Sequence, residues 1–248
     1  MNKTQIALVL GALIGTPSIV FSQATISYPF ISGSPAPTVT GVDASSVSAA
    51  NFLSFNGGDT SQIGFSSSSN NAFLRGGTTT GDTLESALDN SYYFQFTFSA
   101  ANAGEVLDLD SFTLNFGATT GTVGFTTNLV IQSSVGGFGS GNPVLSLSNT
   151  DTGLNNGTVS IPANQSSPYY QNIVVDVSDS AFDSISSIAF QVRVYDNGTN
   201  NSVQINRFDN INIEATPVTV PEPAYYTSLL GLAVIGLVFL RRKKACRS

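Results

Sequence analysis

The sequence predicts an all-β chain: an antiparallel β-sandwich of jelly-roll-like type, flanked by two terminal segments of different character. Three observations carry this. Apolar residues alternate with polar ones at Tyr92, Phe94, Phe96 and Phe98, at Phe112, Leu114 and Phe116, at Ile173, Val175 and Val177, and at Ile188, Phe190, Val192 and Val194. A period of two turns one side of each run toward a core and the other toward water. Turn signals separate the runs: Asn155-Asn156-Gly157 and Asp196-Asn197-Gly198 have the Asn-Gly form of tight hairpins, and 136–143 reads as a glycine-rich loop. Between the termini no stretch keeps a helical period, apart from a short turn at 82–88. Segments 33–37 and 66–71 read as loops within one domain.

A core is available to such a sandwich. Fifteen of the seventeen Phe and six of the eight Tyr lie between Ala24 and Val220. At roughly 1.5–3 kcal/mol for each fully buried Phe, a domain of this size folds without disulfide or metal. The single Cys, Cys246, lies outside that section, so disulfides are closed to it.

Composition narrows the chemistry. With no His, Ser-His-Asp and Cys-His mechanisms and imidazole metal sites are excluded. With no Lys between Ala24 and Val220, Schiff-base and Ser-Lys chemistry are excluded there. Glycoside hydrolysis by two carboxylates stays open, but Glu85, Glu105, Glu214 and scattered Asp form no recognisable pair, and the body reads as non-enzymatic. That section carries three arginines against fifteen acids, a net of −12, which argues against nucleic-acid binding.

Two weak ligand sites stand out in the body. Asp108 and Asp110 share a side if extended, and with Asp209 and Asn210 they supply oxygens of the kind Ca²⁺ takes. The plainer reading, which the residues favour, is no cofactor, solvated aspartates at a strand entry, and an Asp209–Arg207 pair on one strand. Tyr169 and Tyr170, after Pro168, are a candidate glycan platform. The absence of Trp weakens it, and adjacent residues of a strand face opposite ways.

The N-terminus reads as a signal peptide, residues 1–24: Lys3, an apolar stretch at 6–14, then the small residues Ser22 and Ala24, with signal peptidase expected to cut after Ala24. The sandwich domain is expected over 25–217. At the other end Val220-Pro221-Glu222-Pro223 precedes a mostly apolar run at 224–240, and Arg241, Arg242, Lys243 and Lys244 follow. A helix over 224–240 rises roughly 26 Å, just short of a hydrocarbon core. Tyr225 and Tyr226 sit at one interface, and the basic cluster acts as a cytoplasmic stop that leaves the body outside. Pro221 and Pro223 keep the approach to the helix extended.

Residues 220–247 resemble the PEP-CTERM sorting signal, in which a Pro-Glu-Pro motif, a transmembrane helix and a short Arg-rich tail are read together. The resemblance implies recognition of Pro221, Glu222 and Pro223 by an exosortase after export by the secretory translocon. The chain would then be a membrane-held intermediate on its way to the cell surface or extracellular matrix of a bacterium, in systems associated with exopolysaccharide and biofilm. Residues 72–215 also resemble the exported β-sandwich bodies found upstream of such tails, with a likeness to carbohydrate-binding jelly rolls. The segments carrying this are Tyr92-Tyr93-Phe94, Asp108-Leu109-Asp110-Ser111-Phe112, 131–138, 190–195 and Arg207-Phe208-Asp209-Asn210-Ile211. That likeness implies no assigned activity. The rival readings are a secreted carbohydrate-binding module and a stable single-pass membrane protein.

Overall fold

Alternation becomes structure most plainly in β7 (Tyr92–Ala100), where Phe94, Phe96 and Phe98 are buried while Tyr93, Gln95 and Thr97 face the other way. The computed structural model describes residues 23–56, 62–75, 83–120, 123–149, 157–196, 205–220 and 234. Before β7 come β1 (Ala24–Tyr28), β2 (Thr38–Gly41), β3 (Val47–Ala49), β4 (Leu53–Asn56), β5 (Ile63–Ser66), β6 (Asn71–Arg75) and the helix α1 (Leu84–Asp89). After it come β8 (Glu105–Thr119), β9 (Phe125–Ser133), β10 (Leu147–Asn149), β11 (Thr158–Ile161), β12 (Tyr169–Val175), β13 (Ser187–Tyr195) and β14 (Ile205–Thr219).

These strands form two antiparallel sheets. The first runs β10-β12-β8-β14-β1-β2, with β6 also on β14 and β5 on β6. The second runs β11-β9-β13-β7-β3, with β4 also on β7. The long pair β8–β14 is the spine of the first sheet. The opposite edge of β14 is shared: β6 takes 205–208 and β1 takes 211–215. The exchange falls at a register shift between Asp209 and Asn212, where Asn210 adopts φ +46°, a left-handed conformation that Asn tolerates.

Aromatic rings from both sheets meet in one core. Phe96 lies 5.8 Å from Phe112 and 5.3 Å from Tyr28, and Phe94 lies 5.4 Å from Phe208, centroid to centroid. Such pairs add about 0.5–1.5 kcal/mol beyond the area they bury. The Tyr28 hydroxyl donates to Ala50 O at 2.9 Å, and burial pushes its phenol well above the usual range. The chain is therefore all-β, with its two sheets stacked as a sandwich.

Two local expectations need correction. Segment 66–71 is not all loop: Ser66 closes β5 and Asn71 opens β6, with a tight turn between them in which Asn70 has φ +48°. The strand through Ile173 stops at Val175, so buried Val177 packs from beyond its end. The short turn expected at 82–88 is α1, capped by Thr83, whose Oγ1 accepts from the Ser86 amide at 3.2 Å.

The outer face of the second sheet is covered. Arg193 NH1 donates to Ala87 O of α1 at 3.0 Å and to Asn90 O, while its NH2 donates to Gln191 Oε1 at 2.9 Å. Its guanidinium stacks 4.3 Å from the Tyr93 ring centroid. Gln132 ties down the glycine-rich loop, donating to Gly139 O at 3.0 Å and accepting from the Gly139 amide at 2.9 Å. Gly137 and Gly139 in that loop have φ near +90°, which a side chain would strain.

Both ends of the body leave from one end of the first sheet. Ala24 pairs with Ala215 in antiparallel register, so the chain before Ala24 and the chain after Ala215 run the same way. Pro221, Glu222, Pro223, nearly all of 224–240, the cluster Arg241, Arg242, Lys243 and Lys244, and residues 1–22 lie outside the described residues, as do Asn155-Asn156 and Asn197-Gly198. Among the described residues no helix is long and apolar enough to cross a membrane.

Candidate functional site

The outward side of the first sheet is the accessible surface on which chemistry collects. In β12, Gln171, Ile173 and Val175 are buried, so Tyr170, Asn172 and Val174 look outward. Tyr169 is on the core side, but at the rim, where it stays 38% exposed. The two tyrosines therefore face opposite ways and do not form one platform.

Tyr170 is joined instead by residues from three other strands. The cross-strand row runs Tyr170, Gly117, Arg207, Phe73 through β12, β8, β14 and β6. A Cβ on Gly117 would lie 2.0 Å from Tyr169 O, so β8 and β12 approach closely only because this residue is glycine. With no side chain there, nothing from β8 separates Tyr170 from Arg207. Asn71, fully buried, links them: its Nδ2 donates to the Tyr170 hydroxyl at 3.1 Å, and its Oδ1 accepts from Arg207 NH1 at 2.9 Å. The adjacent row runs Asn172, Asn115, Asp209.

Burial and neighbouring charge tune this cluster. Burial, helped by the Asp209 carboxylate, pushes the Tyr170 phenol up to about 12. Burial lowers the Arg207 guanidinium, with Tyr170 opposing the shift and the like charge of Arg75 adding to it. Burial raises the Asp209 carboxyl, against the Asn210 amide that stabilises its ionised form. Asp209 accepts from Asn210 N at 2.8 Å and from Asn210 Nδ2 at 3.2 Å. The Asp209–Arg207 pair expected from their spacing is not made, because Arg207 turns to Asn71 and Asp209 to Asn210.

The three aspartates singled out for Ca²⁺ are each taken up by other partners, and Asp209 lies away from the other two. Asp108 Oδ1 accepts from the Ser184 amide at 2.6 Å, and Asp110 Oδ2 accepts from Thr216 Oγ1 at 2.7 Å and Gln23 Nε2 at 3.2 Å. Asp209 lies opposite Asn115, five residues along β8 from Asp110 and roughly 16 Å away. Among the described residues no group of three or more His, Cys, Asp or Glu is placed to hold a metal ion. A groove of about 620 Å³ near the β10 edge is lined by Asp110, Ser111, Ser146, Ser148 and Asp176, among others. Its acids are engaged within the protein: Ser178 donates to Asp176 Oδ1 through Oγ at 2.6 Å and through its amide at 3.0 Å, which lowers the Asp176 carboxyl.

Sequence reasoning named Tyr170 and Asp209 but missed Asn71, Gly117 and Phe73 as their companions. Arg207 carried a usable signal, being one of only three arginines between Ala24 and Val220.

No protein-family model and no curated protein matches the chain. Among solved structures it is similar to an arabinose-bound α-L-arabinofuranosidase, at 12% identity over 77% of this chain and 26% of that one, with a TM-score of 0.30. It is similar to the C-terminal family 22 carbohydrate binding module of Clostridium thermocellum Xyn10B, at 12% identity over 71% of this chain and 89% of that one, with a TM-score of 0.28. A third is the Stig cyclase Fisc from Fischerella sp. TAU, at 11% identity over 67% and 85% of the two chains, with a TM-score of 0.26. The chain thus spans about a quarter of the arabinofuranosidase, and likenesses this slight assign no function.

Proposed function

We propose that the chain is an exported, non-enzymatic cell-surface or extracellular-matrix protein of a bacterium, with a body of jelly-roll type, sorted by an exosortase through Pro221, Glu222 and Pro223. One observation carries this: a Pro-Glu-Pro motif, an apolar run at 224–240 and four consecutive basic residues stand in that order. An extended motif, a membrane helix and a cationic stop together form a handle that a membrane protease can bind and remove. The body supports the reading in one respect. β14 ends at Thr219 and Val220 is exposed, so the motif begins directly beyond the folded part, at the end from which the N-terminal segment also departs.

Mass spectrometry of the protein recovered from cells tests it. The expected product has lost its basic tail and does not run intact through Leu240, and Glu222→Ala keeps the tail and the intact run. A wild-type peptide running intact through Leu240 would overturn the sorting role and leave a permanent anchor. The N-terminus is read in the same experiment. Ala24, the residue matched to the signal-peptidase pattern, is fully buried in β1 and paired with Ala215 and Gly41, and Gln23 reaches Asp110. A cut after Ser22, also small, leaves β1 whole, so Gln23 rather than Thr25 is the expected first residue.

A carbohydrate-binding role for the body is the second reading. It is favoured by the outward side of the first sheet, where aromatic rings, amides and a guanidinium share one surface. A glycan array probed with the full chain separates the two readings.

A further inference from the structure

The three body arginines are placed very differently. Arg193 is consumed beneath α1, with three hydrogen bonds and a stacked ring. Arg207 is half-buried, and its one hydrogen bond among the described residues goes to the neutral amide of Asn71. Its Nε is buried without a partner, as that of Arg193 is, but no carboxylate is among the charges that act on it, whereas Asp89 acts on Arg193. A guanidinium partly stripped of water and left without a counter-ion is costly, and an incoming anion removes that cost by accepting its forked donors.

The surroundings extend the same chemistry. The Tyr170 hydroxyl accepts from Asn71, which leaves its own proton to donate outward. Phe73 adjoins Arg207 in register, with the Arg75 guanidinium 5.9 Å from its ring centroid, so two cations lie at this end of the sheet. Asn115 and Asn172 add planar amides in the next row. Aromatic rings and amides suit sugar rings and their hydroxyls, whereas a small free anion needs only the guanidinium.

Two carboxylates share the outward side of β14 with Arg207, one distant and one near. Glu214, on the same side of β14, is seven residues from Arg207, roughly 23 Å and beyond two Debye lengths at physiological salt. The near carboxylate, Asp209, has its oxygens turned to Asn210 but keeps its charge, which is felt at Tyr170 and which an anion on Arg207 has to overcome.

We propose that this end of the first sheet binds an anionic polysaccharide, with Arg207 taking a carboxylate or sulfate and Tyr170, Phe73, Asn115 and Asn172 contacting the sugar rings. The proposal rests on the reading of the body as a glycan binder and names the class of glycan.

Binding of full-length protein in detergent to polygalacturonate, dextran sulfate and uncharged dextran tests it. Either polyanion is expected to bind and dextran not to, and whichever binds identifies the acidic group. Arg207→Gln is expected to weaken binding at least tenfold, and Tyr170→Phe, which keeps the ring and serves if the first variant melts early, about threefold. Equal binding of dextran, or polyanion binding indifferent to both variants, overturns the anionic site while leaving glycan binding in place. No binding to any of the three, followed by a blank glycan array, overturns both.

Discussion

On the second sheet, the outward residues Gln132, Gln191 and Arg193 are buried beneath α1 and the glycine-rich loop. On the first, Tyr170, Asn115, Asn172, Arg207 and Asp209 stay wholly or partly open to water. Each side holds an arginine near a tyrosine, yet the partners differ in number. Arg193 donates three hydrogen bonds, two of them to backbone carbonyls at the C-terminal end of α1. Arg207 donates one, to an amide that it shares with Tyr170. Both arginines keep a buried Nε without a partner, so the difference lies in their terminal nitrogens: those of Arg193 are spent on architecture, and those of Arg207 keep bonding capacity for the open side.

Substitutions sharpen that contrast. Arg193→Ala should cost about 2–4 kcal/mol in urea unfolding, because it removes three hydrogen bonds and the stacked Tyr93 contact that hold α1 on the sheet. Gln132→Ala should cost about 1–3 kcal/mol and raise hydrogen exchange at the Gly139 amide, whose acceptor it removes. Arg207→Gln should cost less than about 1 kcal/mol by the same measurement. Were it to cost as much as Arg193→Ala, the two sides would not differ as argued. The smallest effect is a gain. Burial raises the Asp209 carboxyl, so the native state binds a proton there more readily than the unfolded chain, and ionised Asp209 weighs against folding at neutral pH. Asp209→Asn should raise Tm at pH 7, with the gain fading as pH falls through that raised value and gone below the ordinary carboxylate pKa of about 3.9.

The alternation at Tyr92, Phe94, Phe96 and Phe98 was legible because each strand of a sandwich is wetted on one side only. It also foretold that Tyr169 and Tyr170 would part. Partner choice was not legible: β8 and β14 are about a hundred residues apart in the chain, and nothing local to either announces the other. Asn71 was read as loop because its neighbours Ser66, Ser67, Ser68, Ser69 and Asn70 are polar. Its role depends on β6 lying against β14, which places its amide between Tyr170 and Arg207. Short β10 and β11 carry too few residues for a period to show.

The shared exit of the two chain ends gives the body a near and a far pole. Arg207 is twelve residues up β14 from Thr219, about 40 Å along the strand from where the tail departs. Were the tail membrane-held, as proposed, that distance would keep the arginine pole clear of lipid headgroups and free to take up polymer before any cut.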